Sequence, residues 1–207
     1  MAIVKRSQTQ SVDSDERARP RDLAGLIALL QDPNPTARRW AARDLCAFPD
    51  AAAALVARLP TETESAVREA ILMALTEIGG TVAVAGLVEC LRSDDAALRC
   101  EAIGAMKLLP DAVAPIMEGL LEDANPDVRI FAVNVLESLR HPDVEKWLLK
   151  VIDQDPHINV CATAVDLLGE VGTSDAIAAL NRLEQRFAVE PYIVFAADLA
   201  LKRIQES

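Results

Sequence analysis

Apolar and polar positions alternate along this chain with a helical period that restarts about every thirty residues. The clearest unit is Asn125-Pro126-Asp127-Val128-Arg129-Ile130-Phe131-Ala132-Val133-Asn134-Val135-Leu136. With Arg129 as the anchor, the equivalent positions are Arg38, Arg68 and Arg99 upstream and Cys161 and Val194 downstream, at spacings of 30, 31, 30, 32 and 33 residues. At offsets −1, +3, +7 and +10 from each anchor every residue is apolar, from Ala37, Ala41, Leu45 and Phe48 to Ile193, Ala197, Leu201 and Ile204. At 100° per residue these offsets fall within about 80° of one another, which predicts one buried stripe per helix. A repeat of this length is the mark of units that bury their apolar faces against their neighbours.

Each unit reads as a helix, a short turn and a second helix. The first helices are expected over 22–31, 49–59, 81–91, 110–121, 142–152 and about 174–186. Pro49, Pro110 and Pro142 suit a first turn, where a missing N–H has no helical partner, and Pro115 should bend the fourth of these helices. The turns open on Asp or Ser and carry breakers, as in Asp32-Pro33-Asn34-Pro35 and Asp123-Ala124-Asn125-Pro126. Gly79-Gly80 and Gly172 stand where second helices stop and a left-handed residue is usual. Residues 1–20 lack periodicity and are expected to form a flexible tail ahead of a repeat domain over 21–207.

Composition narrows the function classes. Hydrophobic residues are 51% of the chain and aromatics only 3%, which suits close helix-on-helix packing through small side chains. The net charge is −11, and the body from Arg21 onward holds 17 basic against 29 acidic residues. That balance disfavours nucleic acid and anionic membrane surfaces as partners. The N-terminal residues 1–6 are too sparsely apolar for a signal-peptide core and no apolar stretch approaches the length of a membrane span, so a cytoplasmic location is expected. Cys46, Cys90, Cys100 and Cys161 have no metal-site spacing and read as small buried hydrophobes. His141 and His157 lie in turns without a carboxylate or nucleophile at motif spacing, and no phosphate-binding loop is present. No cofactor or metal is implied.

The pattern resembles the HEAT repeat, in particular the short bacterial form described as HEAT-like or phycobilisome-lyase-type. The closest matches are Asp123 and Arg129 with Ala132, Leu136 and Leu139, and the run from Val67-Arg68-Glu69-Ala70 to Ile78-Gly79. The resemblance covers residues 22–206 and implies an all-α fold: an α-solenoid, or alpha-alpha superhelix of the armadillo-like kind, of about six HEAT-like helical hairpins. It also implies a ladder between turn acids and second-helix arginines, matching Asp32 with Arg38, Glu62 with Arg68, Asp94 with Arg99 and Asp123 with Arg129. The ladder should fail at the C-terminal end, where Cys161 and Val194 replace Arg. Deoxyhypusine hydroxylase resembles this architecture and holds iron with His-Glu pairs, but His141 precedes Pro142 and His157 precedes Ile158.

The expected role is therefore a non-enzymatic scaffold, adaptor or regulatory module that binds a protein, expected to be basic, through its second helices. An accessory bilin-lyase-type or cofactor-maturation factor is the alternative the resemblance implies. Candidate partner-binding residues are Arg39, Trp40, Arg43, Glu69, Met73, Ile130, Phe131, Asn134, Glu137, Asp166, Phe195 and Leu199. Trp40 and Phe131 flank the buried stripe and read either as packing or as anchors for a partner. Phe195 and Leu199 lie opposite the stripe on the last helix, where a solenoid end is normally polar. They mark either an atypical end or a surface for self-association or partner docking.

Overall fold

The computed structural model describes residues 21–206; the expected tail over 1–20 lies outside the described residues. The chain divides into two compact units, Met1–Gly86 and Leu87–Ser207. The first unit contains α1 (Leu23–Leu29), α2 (Pro35–Leu45), α3 (Ala52–Arg58) and α4 (Ser65–Ile78), and the unit boundary falls inside α5 (Gly80–Cys90). The second continues with α6 (Ala96–Lys107), α7 (Pro110–Val113), α8 (Met117–Leu121), α9 (Pro126–Leu136), α10 (Val144–Gln154), α11 (Ile158–Val171), α12 (Ile177–Arg186) and α13 (Pro191–Glu206). In the first unit α1 packs on α2, α3 on α4 and α2 on α4; in the second α9 packs on α6, α8 and α11, α10 on α11 and α12, and α13 on α11 and α12. The second unit is thus two-layered, with first helices beside first helices and second beside second, and in the first unit the two second helices lie side by side.

The predicted stripe forms the core, but not along its whole length. Every residue at offsets −1 and +3 is buried, as is every one at +7 except the half-buried Leu201. At +10 only Leu139 is buried, and Val171 is 44% exposed. The tenth offset falls at or beyond the helix end in most repeats, where the helical geometry that aligned it no longer holds. Two cysteines also depart from expectation: Cys90 and Cys161 are buried, whereas Cys46 and Cys100 are exposed. Burial pushes both buried thiols up to about 11.

Prolines shape the first helices more than spacing suggested. Pro115 does not merely bend the fourth but breaks it into α7, a tight turn over Ala114–Ile116 and α8. The fifth begins at Val144 instead of Pro142, because the Asp143 N–H is held by His141 Nδ1 at 3.2 Å in the turn ahead of it. Gly79 and Gly80 have φ of 62° and 76°, as a helix stop requires. Gly172 does not: its φ is −71°, and a Cβ there would stand 2.5 Å from the Leu168 carbonyl oxygen.

The turns are built by one recurring device. Asp32 Oδ1 accepts the Asn34 N–H at 2.9 Å, Asp123 Oδ1 that of Asn125 at 2.9 Å, Asp155 Oδ1 that of His157 at 2.8 Å and Glu62 Oε1 that of Glu64 at 3.0 Å. Asn34 and Asn125 then cap α2 and α9 by accepting from Thr36 and Asp127, with Pro35 and Pro126 in the first turn.

Three of these acids, Glu62, Asp123 and Asp155, also meet an arginine of the preceding repeat, which corrects the expected ladder. Arg38 Nε and Nη2 donate to Glu62 Oε2 and Oε1 at 2.7 and 2.8 Å. Arg129 donates in the same two-pronged way to Asp155, at 2.6 and 2.9 Å. Within its own repeat the anchor reaches backbone instead: Arg38 Nη1 donates to Asp32 O, Arg99 Nη1 to Ser93 O and Arg129 Nη1 to Asp123 O. A guanidinium can serve both because its five N–H groups fork in a plane. Asp123 is taken by Arg92 Nη2 at 2.5 Å, while Arg99 lies over the Phe131 ring at 5.7 Å.

At Cys161 the anchor arginine and its pairing with a following turn acid are lost, as expected, but the backbone contacts of the ladder are taken over by another arginine. Arg186, from the following repeat, sends Nη2 to Asp155 O at 2.9 Å and to Cys161 Sγ at 3.1 Å, and Nη1 to Asp153 O at 2.7 Å. Asp155 O stands six residues before its anchor, as Asp32 O and Asp123 O do before theirs. The guanidinium is kept and only its origin moves.

Burial by itself would push the Glu62 carboxyl up, but hydrogen bonds from Arg38, the Glu64 N–H and Arg58 outweigh it and hold the pKa at about 2. Since the ordinary value is 4.5, this contribution is complete above about pH 4.5 and vanishes as pH falls toward about 2. Glu62→Gln is expected to cost about 3 kcal/mol at neutral pH, because it leaves Arg38 buried without its carboxylate. Urea unfolding of wild type and variant should show that gap narrow to about 1 kcal/mol near pH 2.5. Arg186→Met should cost about 1 to 2 kcal/mol in the same assay. Arg182→Met, which breaks an exposed pair with Asp153, should leave stability unchanged within the error of the assay.

Candidate functional site

Once the −1, +3 and +7 positions are buried, helix geometry turns +1, +5 and +8 outward. In the first unit α2 and α4 lie side by side, and Arg39, Trp40 and Arg43 on one and Glu69 and Met73 on the other are exposed. Trp40 is 50% exposed with the Arg43 guanidinium 5.3 Å from its ring centre, and Met73 is 65% exposed. Trp40 is therefore a surface residue and not packing.

In the second unit Ile130, Phe131 and Asn134 are half-buried on α9, and the Arg99 guanidinium covers Phe131. Its ring is occupied within the protein. Further along the same face α9 and α11 enclose a groove of about 220 Å³ lined by Val133, Asn134, Glu137, Thr163, Asp166, Leu167 and Glu170. Three of the predicted residues, Asn134, Glu137 and Asp166, meet here. Thr163 and Glu170 were not anticipated, although Thr163 stands two residues after its anchor as Trp40 and Phe131 do. Phe195 and Leu199 lie apart on α13, 66% and 40% exposed.

The groove has an apolar base and an acidic rim. None of its lining residues is basic. Lys107 reaches Glu137 from α6 at 2.5 Å, and this hydrogen bond and its charge hold the Glu137 carboxyl below the usual range. Asp166 behaves oppositely. Desolvation pushes its carboxyl up and the Glu170 charge adds to this, with Arg203 the opposing influence.

A second hollow, of about 370 Å³, opens on the first-helix side and was not anticipated. Trp147, Leu121 and Val151 form its apolar wall, Lys150 pairs with Glu122, and the Arg129–Asp155 pair lines it. It arises from the spacing of α8 and α10, which sequence periodicity does not reveal. Among the described residues no three His, Cys, Asp or Glu side chains are grouped so as to hold a metal ion, and no helix is long and apolar enough to cross a membrane.

The family model for HEAT repeats matches residues 23–107 and 113–201, most of the chain. The chain belongs to the HEAT-repeat family. Its fold is accordingly the all-α solenoid of helical hairpins that the sequence pattern predicted. Similar solved structures include human deoxyhypusine hydroxylase in complex with glycerol, at 18% identity over 90% of this chain and 76% of that one, with a TM-score of 0.47. A designed armadillo repeat protein is 17% identical over 88% of this chain and 100% of its own, at a TM-score of 0.40. The complex of CpcE and CpcF of phycocyanin lyase from Nostoc sp. PCC7120 is 18% identical over 99% and 100%, at 0.38. No curated protein matches the chain.

A carboxylate raised by desolvation opposes folding at neutral pH, where it must ionise. Asp166→Asn in this HEAT-repeat chain is therefore expected to leave stability at pH 7 unchanged or raise it, by at most about 0.5 kcal/mol because the residue is open to solvent. Urea unfolding at pH 7 checks this. A loss of more than about 1 kcal/mol would show that Asp166 carries the fold.

Proposed function

We propose that this HEAT-repeat chain is a non-enzymatic adaptor or regulatory module that holds a protein partner against its second helices. A repeat solenoid is suited to protein interaction because it spreads side chains from successive helices over an extended face. The observation that carries the reading is the α9/α11 groove. Glu137, Asp166 and Glu170 rim it, Val133 and Leu167 give it an apolar base, and no lining residue is basic. Such a groove fits a segment with a basic side chain and an apolar neighbour, the mixture usual at protein interfaces. Half-exposed Trp40 and exposed Met73 offer the larger apolar contacts from which interface energy is mostly drawn.

The partner's basic character follows from charge. A body of net −12 attracts cationic surfaces, and the attraction weakens as salt screens it. The test is capture from native lysate on the tagged chain, washed at roughly 50 mM and roughly 500 mM salt, with mass spectrometry of what is retained. One protein held at low salt and released at high salt is expected. Asp166→Asn with Glu170→Gln should weaken its binding by about tenfold or more, equivalent to about 1.4 kcal/mol, without loss of helix content. Retention that is indifferent both to salt and to the double substitution would sink the proposal.

A further inference from the structure

The hollow beside Trp147 opens on the first-helix side and shares no lining residue with the α9/α11 groove. At about 370 Å³ it has the scale of a small-molecule site and not of a helix. Its apolar wall is fixed in place. Leu121, Trp147 and Val151 are only 5 to 8% exposed, so the packing beneath them sets their positions. The indole is held twice. It stacks on His141 with ring centres 4.9 Å apart and planes 13° from parallel, and its Nε1–H donates to Glu118 Oε1 at 3.4 Å. Ala124 and Pro156, from two successive turns, complete the apolar lining.

The charges around this wall are not fully balanced. Arg129 takes Asp155, Arg92 takes Asp123 and Lys150 takes Glu122. Three of the four lining carboxylates thus have a cation of their own, whereas Glu118 has the indole N–H and a lesser share of the Lys150 charge. A carboxylate can accept about four hydrogen bonds, and one as long as 3.4 Å uses little of that capacity. The hollow is therefore one positive charge short, next to an apolar surface. An anion entering it would meet four carboxylates. A neutral apolar molecule would strip water from Glu118 and return nothing.

We propose that the hollow binds a small organic monocation, an amidine or ammonium group on a compact apolar body. The body rests against Leu121, Trp147 and Val151, and the cation donates to Glu118. Charge complementarity selects the cation, and the fixed wall selects the apolar body.

The test follows the Trp147 Nε1–H by nitrogen–proton correlation spectroscopy on the full chain carrying Trp40→Phe, which leaves Trp147 as the one indole. Benzamidine, benzamide and benzoate, a cation, a neutral amide and an anion of nearly one shape, are titrated from roughly 0.1 to 20 mM. Benzamidine should shift the resonance saturably, with a dissociation constant on the order of 1 mM. Benzamide should bind about fivefold more weakly, and benzoate should give no saturable shift. Glu118→Gln, at an exposed position, should bring benzamidine down to the affinity of benzamide. The readout involves neither Asp166 nor Glu170 and needs no protein partner, so this site and the α9/α11 groove fail separately. No saturable shift with benzamidine, equal binding of benzamide or benzoate, or indifference to Glu118→Gln would overturn the proposal. A response to N-acetylarginine amide without one to benzamidine would also overturn it, because the hollow would then be a seat for a partner's side chain.

Discussion

The structure depends on a guanidinium that must find two partners at once. Four of the turns between paired helices open on a carboxylate that bends the chain by accepting an N–H two residues on. Arg38 and Arg129, from the start of their second helices, donate to the carbonyls of their own turn, and their remaining N–H groups reach the acid of the next. Arg38 and Glu62 are nearly sealed from water, with side chains 8% and 0% exposed. A charge so placed is tolerable only when paired and hydrogen-bonded. The same interaction therefore shapes a turn and sets the distance to its successor, which is why helix follows helix at a nearly constant interval.

Two variations show that the constraint falls on the guanidinium and not on the residue number. Arg92 takes Asp123 while Arg99 keeps its backbone contacts and covers Phe131. Where the fifth anchor is a cysteine, Arg186 reaches back from the next repeat to the carbonyl that the missing arginine would have served. Both substitutes leave the turn geometry unchanged, since Asp123 and Asp155 bind the N–H two residues on as Asp32 does.

The ladder engages the Arg38 and Arg129 guanidinium groups and leaves an acidic excess among the lining residues of one second-helix groove in the second unit. Along α9 and α11 the excess becomes a groove in which one carboxylate, Glu137, is held by a lysine and another, Asp166, is raised by desolvation. The arrangement stores a small cost in the folded state that a cationic partner would relieve, a pattern common where surface is used for recognition. Phe195 and Leu199 on α13 lie apart from this groove and stay exposed.

By itself the sequence determined the helical hairpins, their register and the family, because each rests on local periodicity that survives without knowledge of neighbours. Val67, Ile71 and Leu75 must share a face whatever they pack against, and Gly79 must end their helix. The outward candidates were legible for the same reason, being what remains once the stripe is buried. Tertiary structure decided which ones meet and which are already occupied. It placed Glu137 and Asp166 in one groove, put Arg99 over Phe131 and left Trp40 open. It also decided the partners of the arginines, since a long, flexible side chain reaches equally well into its own turn or the next. Which carboxylate it pairs with depends on the separation of helices in space, and no spacing along the chain records that distance.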